Sequence, residues 1–264
     1  MEYEDIIYTK EAGIATITLN RPDKMNSFSP AMNRSINQAV ADAAKDDNVR
    51  VLVITATGRA FCAGADVKAM AHNADQPGGR KMGGSPESDN IQLPILLQRF
   101  EKPVIAAING VAVGGGLDFA CACDIRIASD KARFAEVFIR RGLIPAMGGI
   151  FFLPRLVGID KACQLIWTGD MIDAKEAERI GLVTKVVPHE ELGSATRELA
   201  EKLAKGPPLA IKRAKRAIYE GLGMDLQSTL DLVGTLIQEL WNTEDHKEGA
   251  KAFVEKREPV FKGK

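Results

Sequence analysis

The chain lacks a surplus of either charge. Among its 264 residues, 35 Lys and Arg balance 35 Asp and Glu. Nucleic-acid binders carry a basic excess, so that class is set aside. A local basic patch for a small anion is not excluded by this balance. No run approaches the roughly 20 apolar residues that a membrane-spanning helix needs. The first residues, Met1-Glu2-Tyr3-Glu4-Asp5, are acidic, unlike the basic start of a secretory signal. A cytoplasmic protein with no membrane and no nucleic-acid partner is the expectation. Histidine is scarce, and His72, His189 and His246 are scattered, which disfavours a compact zinc site. The four cysteines, Cys62, Cys121, Cys123 and Cys163, form no C-x-x-C and stand among apolar neighbours. They read as reduced, buried thiols. There is no Gly-x-Ser-x-Gly elbow, no phosphate-binding P-loop and no strand-linked Gly-x-Gly-x-x-Gly, so none of the chemistries tied to those motifs is indicated.

What is present is an ordinary globular composition, 45% hydrophobic and 27% charged. The length corresponds to about one or two domains. Short apolar runs predict strands over residues 6–8 and 14–19, turning at Gly13. The run Val51-Leu52-Val53-Ile54 is apolar throughout and β-branched, as in a strand covered on both faces. Further strands are expected over residues 104–108, 125–128 and 182–187. Ser29-Pro30 opens a helix, with serine capping and proline at the first helical position. Met32, Ile36, Ala39, Val40 and Ala43 then recur at helical spacing to about Asp46. A helix is also read over residues 91–100, and another from the glycines at 114–116 to about Cys123. Strands alternating with helices imply an α/β architecture. Residues 71–90 are rich in Gly, Pro, Asp and Ser and read as a long loop. Beyond Gly206-Pro207-Pro208 only helical patterns follow, at about 209–220, 224–241 and 247–256. The division expected is a core over residues 1–205 and a helical region over 206–264.

Two glycine-containing segments each follow an apolar strand: Gly58-Arg59-Ala60-Phe61-Cys62-Ala63-Gly64-Ala65-Asp66 and Asn109-Gly110-Val111-Ala112-Val113-Gly114-Gly115-Gly116-Leu117-Asp118. Small residues permit close approach to the backbone. A helix beginning at Gly115 or Gly116 would aim free N–H groups and its positive dipole end at an anion. Two N–H donors converging on one oxygen make an oxyanion hole, suited to a thioester whose carbonyl gains charge as an enolate.

These segments resemble the paired signatures of the crotonase superfamily, the enoyl-CoA hydratases/isomerases. The resemblance continues through Asn20-Arg21-Pro22-Asp23-Lys24-Met25-Asn26-Ser27-Phe28, Lys102-Pro103-Val104-Ile105-Ala106-Ala107-Ile108-Asn109-Gly110, Cys123-Asp124-Ile125-Arg126-Ile127-Ala128 and Leu153-Pro154-Arg155-Leu156-Val157-Gly158. It ends with Thr168-Gly169-Asp170, Gly181-Leu182-Val183 and Ala252-Phe253-Val254-Glu255-Lys256-Arg257. It implies a spiral of repeated β-β-α turns with a helical C-terminal region, assembled as a homotrimer or a homohexamer of two trimers. It also implies an acyl-CoA thioester as ligand and no metal or redox cofactor. The oxyanion-hole N–H groups would be those of Ala65 and Gly115. The CoA site would be lined by Lys24, Met25, Ala63, Gly64, Asp66, Val67 and Lys68, with Phe253 and Lys256 added by a neighbouring subunit's tail. Lysines suit such a site as point-charge partners of phosphate.

The acid/base residues depart from the family's pattern. Enoyl-CoA hydratases use two glutamates, one of them two residues after the triple glycine, where this chain has Asp118. Aspartate is one methylene shorter, which draws its oxygens back by roughly 1.5 Å. Alignment on Phe134 and Gly142 puts Phe138 at the second position, where it would line the acyl pocket and cannot move a proton. Glu136 lies two residues earlier and is the other candidate acid/base. Were the segment helical, Glu136 would face about 200° away from Phe138; were it extended, the two would share a face. Some family isomerases carry an aspartate directly after Gly-Leu-x-Pro, and here that residue is Ala146. Three functions therefore stand open: hydration of a 2-enoyl-CoA, isomerisation or hydration of a dienoyl or cyclic acyl-CoA, and acyl-CoA binding without catalysis.

Overall fold

In the computed structural model, residues 3–65 and 89–264 are described, the side chains of 89–91 excepted. The expected loop over 71–90 therefore falls outside them, except that Asp89 and Asn90 already belong to a helix. Strands β1 (Ile6–Glu11) and β2 (Ile14–Leu19) form an antiparallel hairpin about Ala12-Gly13. Beside β2 lie β3 (Val51–Ala56), β5 (Val104–Ile108), β7 (Ile125–Ser129) and β10 (Lys185–Val187), each parallel to its neighbour. A second sheet holds β4 (Ala60–Cys62), β6 (Val111–Val113), β8 (Arg133–Ala135) and β9 (Ile172–Asp173) in that order. Chain order and sheet order together describe a spiral. Each of β3, β5 and β7 leaves the large sheet, turns a corner and adds β4, β6 or β8 to the small one. Helical segments then carry the chain back.

The alternation of β-strand side chains explains the wholly apolar strands. Leu52, Ile54, Val104, Ala106 and Ile108 face the main core, together with Met32, Ile36, Ala39, Val40 and Ala43 of α1 (Pro30–Lys45). Val51, Val53, Ile105, Ala107 and Ile127 face the other way, against Leu192 and Ala200 of the long helix near residue 200. Both faces of the large sheet are thus covered. Ser29 caps α1, its Oγ accepting from the Met32 N–H at 2.9 Å. The corners are tied by asparagines. Asn26 Nδ2 donates to the carbonyls of Thr57 and Ala60, both at 2.8 Å, and Asn109 Nδ2 donates to Gly58 at 2.8 Å.

Among the described residues the remaining helices are α2 (Asp89–Arg99), α3 (Gly115–Cys121), α4 (Gly149–Val157), α5 (Ile159–Thr168), α6 (Ala174–Arg179), α7 (Leu192–Lys205), α8 (Pro208–Gly221), α9 (Leu226–Trp241) and α10 (Glu244–Glu255). Several expected bounds shift, among them the first strand, which runs on to Glu11, and three have a visible cause. The last strand of the large sheet is shorter than residues 182–187, because Leu182 and Val183 pack into the core as a turn after α6. Helix α3 stops at Cys121, where the Arg126 guanidinium donates to the carbonyls of Cys121, Cys123 and Leu182 and ends the ladder. Helix α10 begins at Glu244, three residues early, because Thr243 caps it through the His246 N–H. No helix among the described residues is long and apolar enough to cross a membrane. The four cysteines stand as free thiols, three of them buried and Cys163 half-buried.

Helix α8, the first beyond residue 206, is bolted to the core by polar contacts. Lys215 Nζ, buried beneath it, donates to Asp124 Oδ2 at 2.8 Å and to the carbonyls of Leu97 and Lys102. Tyr219, one turn on, donates its hydroxyl to Asp124 Oδ1 at 2.7 Å, and the Val104 N–H donates to Oδ2 at 2.7 Å. A buried charge keeps its place only when fully partnered, and removing one member strands the other. Lys215→Met is expected to destabilise the fold by about 3–5 kcal/mol. Tyr219→Phe, which leaves the lysine in place, should cost about 1 kcal/mol. Urea denaturation of both variants checks this; equal small losses would show that the ion pair contributes nothing special.

Candidate active site

The site is built where the end of β4 meets the start of α3. Both are held from outside. The Ala63 N–H donates to the Met25 carbonyl at 3.0 Å, the Phe28 N–H to Gly64 at 2.9 Å, and the Gly114 N–H to Ala135 at 2.8 Å. Two glycines allow the segments to touch backbone to backbone. Gly64 has φ +77°, and a Cβ there would lie 2.9 Å from the Val113 carbonyl oxygen and 3.0 Å from the Gly115 nitrogen. A Cβ on Gly116 would land on the carbonyl of Cys62. Among the described residues, neither the Ala65 N–H nor the Gly115 N–H has a backbone acceptor. Two adjoining donors without acceptors, one of them at the positive end of a helix, are suited to a developing negative charge on oxygen.

One turn into α3, Asp118 is fully buried. Its Oδ2 accepts the Met147 N–H at 2.9 Å. Its Oδ1 has no donor and lies where a side chain on Gly149 would go. The carboxyl thus sits at the N-terminal end of α4, whose dipole favours the charged form. Burial outweighs this and lifts the carboxyl to about 6, against the opposing pull of the Met147 amide, Glu136 and the Gly149 amide. Glu136 follows β8 directly and precedes a 3-10 turn, Val137–Arg141. It is also fully buried, and among the described residues neither of its oxygens has a partner donor. Burial and the nearby Asp118 charge push its carboxyl well above the usual range. Phe138 is half-buried inside that turn, with its ring edge 3.6 Å from where a Gly114 side chain would begin.

The structure brings together Ala63, Gly64, Ala65, Gly115, Asp118, Glu136 and Phe138. Lys24 is exposed at the end of a 3-10 turn, and half-buried Met25 follows it with φ +53°. Asp66, Val67 and Lys68 lie outside the described residues. Phe253 is 85% exposed on α10, and Lys256 closes that helix with φ +55°. Two residues escaped the sequence reading. Met147 orients Asp118 through its N–H and lays its thioether against Gly115, 2.7 Å from where a Cβ would stand there. Gly149 leaves room for the carboxyl. Their signal was the Gly148-Gly149 doublet ahead of an apolar run, a helix start aimed at something negative. Two clefts of about 250 and 230 Å³ open elsewhere, between β2–β3 and α7 and beside Arg50 and Lys212, and neither includes the carboxyl pair.

The two-sheet β-β-α spiral followed by C-terminal helices defines the class of fold. The profile of the family described as enoyl-CoA hydratase/isomerase matches residues 9–264. The short-chain-enoyl-CoA hydratase of Clostridium acetobutylicum is 39% identical over 258 residues, 97% of either chain. The 1,2-epoxyphenylacetyl-CoA isomerase of Escherichia coli is 37% identical over 99% of either chain. The crystal structure of enoyl-CoA hydratase from Bacillus anthracis has a TM-score of 0.91 at 36% identity, covering 99% of this chain and 100% of that one. The chain belongs to the enoyl-CoA hydratase/isomerase family and has the crotonase fold.

Gly116→Ala forces backbone against backbone and is expected to cost about 1–3 kcal/mol. Gly193→Ala, on α7 with nothing within 4 Å of the new methyl, should instead stabilise by about 0.4–1 kcal/mol. Thermal melts of the two single variants give the comparison. A Gly116→Ala protein as stable as the parent would disprove the close approach.

Proposed function

We propose that the protein hydrates a 2-enoyl-CoA thioester. The Ala65 and Gly115 N–H groups receive the thioester oxygen, and Asp118 is the acid/base. As water oxygen bonds to the β-carbon, Asp118 takes a water proton. The double-bond electrons move onto the α-carbon and the carbonyl oxygen, where the two N–H groups hold the charge. Asp118 then returns that proton to the α-carbon, which completes the 3-hydroxyacyl product and restores the carboxylate. The observation that carries this reading is the buried Asp118 carboxyl one turn beyond Gly115, whose N–H, like that of Ala65, has no backbone acceptor among the described residues. Its raised pKa of about 6 suits proton transfer near neutrality. The hydratase named among the relatives supports the same reading.

Lys24, Met25, Ala63, Gly64, Asp66, Val67 and Lys68 would line the CoA, with Phe253 and Lys256 supplied by a neighbouring copy in a trimer or hexamer. The exposed Phe253 fits that role. Leu226, Leu230, Ile237 and Trp241 of α9 are exposed apolar residues that subunit contacts would cover, which favours residues 206–264 as the assembling region. A second reading draws on Phe138. An aromatic ring beside Gly114, at the register of the family's second glutamate, fits a flat or cyclic acyl group and double-bond isomerisation, with Phe138 packing on that group.

Loss of the conjugated enoyl-thioester absorbance of crotonyl-CoA tests the first reading. Asp118→Asn is expected to lower kcat by about 10²–10⁴-fold while binding of the CoA ester survives. Turnover unchanged in Asp118→Asn would remove Asp118 from the mechanism. Binding without turnover would direct the search to 3-enoyl, dienoyl and cyclic substrates, and failure of those as well would leave an acyl-CoA-binding protein.

A further inference from the structure

Two acidic groups that meet in a dry interior cannot both be charged, and cannot hydrogen-bond unless one keeps its proton. Asp118 and Glu136 meet in this way. Each is fully buried, the Gly114 N–H bond to the Ala135 carbonyl sets the residue before Glu136 against the start of the helix that carries Asp118, and each carboxyl acts on the proton affinity of the other. Asp118 Oδ2 is occupied by the Met147 N–H, which leaves Oδ1 without a protein donor. Both oxygens of Glu136 lack one too. The asymmetry of the surroundings decides which group is ionised. Asp118 has the Met147 and Gly149 amides and the N-terminal end of α4; Glu136 has only Asp118. Among the described residues, the other titratable group near the pair is the Cys121 thiol on α3, itself pushed well up by burial. Arg126 spends its guanidinium on the carbonyls at the far end of α3.

We propose that Asp118 and Glu136 operate as one carboxyl pair sharing a single proton, with Glu136 the positioning residue that donates it to Asp118 Oδ1. The proposal rests on Asp118 being the acid/base. At rest the pair carries one negative charge and one proton. When Asp118 accepts a proton from substrate or water, both carboxyls are neutral. When it returns a proton to carbon, the single charge and the shared proton are restored. Nothing else is consumed. The pair thereby supplies a second carboxyl from a position two residues before the family's own, where this chain has Phe138.

The sign of the pH effect follows from linkage. Both groups have folded pKa values above their ordinary 3.8 and 4.5. The stability they contribute is complete below those values and is lost as pH rises through the folded ones. The wild-type melting temperature should therefore fall as pH rises from about 4 through 6 and beyond. In Glu136→Gln, whose amide still donates to Asp118 but cannot ionise, the fall should be smaller.

The test uses the full-length protein and needs no substrate. Infrared spectra at neutral pH should show a protonated-carboxyl stretch in wild type that disappears in Glu136→Gln. Wild-type titration should show two linked steps, and the variant one. If turnover of crotonyl-CoA is found, its dependence on pH should simplify in the same way. The proposal is overturned if the band is absent from wild type, or persists unchanged in Glu136→Gln, or if the melting temperatures of the two proteins follow pH identically. Glu136→Leu gives a control for packing: it should also lose the band, while losing the hydrogen bond to Asp118 as well. The band with no turnover on any acyl-CoA would remove the functional reading and leave the pair. Turnover that depends on Asp118 without the band would do the reverse.

Discussion

Everything at this site depends on one close approach, the first turn of α3 lying against the end of β4 with no side chain between them. Gly116 at the Cys62 carbonyl and Gly64 at the Gly115 nitrogen make that possible. Once the two backbones are that near, the amides of Ala65 and Gly115 belong to the same small volume, and Asp118 follows one helical turn later. The corners of the spiral serve the same end. Asn26 and Asn109 fasten neighbouring corners, so the short strands of the small sheet arrive in register although none exceeds three residues.

Much of the fold was legible because its long elements obey simple periods. The central strands β3 and β5 of the large sheet are apolar on both faces, and α1 carries both its cap and its stripe. The small sheet was not legible, because strands of two or three residues are shorter than any period they could display. Helices α4 to α7 were also missed as helices, the first two of them opened by glycines. The positive-φ glycine caps at 148 and 158 carry no side-chain capping signal. The two glycine segments pointed to the free amides, and the family register pointed to Asp118. The standing of Glu136 could not be read from spacing alone. It is neither helical nor in mid-strand but lies where β8 ends, and only the three-dimensional path aims its carboxyl at Asp118.

The molecule handles buried charge in two opposite ways. Around Asp124, both carboxylate oxygens meet donors, and the result joins α8 to the core. At Asp118 and Glu136 the donors run short, and the interior is left with acidity it would otherwise expel. The first arrangement is fixed by complete pairing. The second stays responsive because pairing is incomplete, and proton exchange needs that. The fully paired carboxylate and the under-partnered pair thus stand on the same framework, with Arg126 closing the C-terminal end of the helix that carries Asp118.

The cysteines carry a practical consequence of the same dryness. Burial pushes the Cys62 and Cys123 thiols up to about 12 and raises Cys121 well above its ordinary value, so thiolate is nearly absent at neutral pH. Cys163, half-buried on α5, stands apart from those three. A maleimide dye would therefore mark a single position of the folded chain without any mutagenesis. The slower appearance of the other three labels would time how often the core opens, a clock already built into the native sequence.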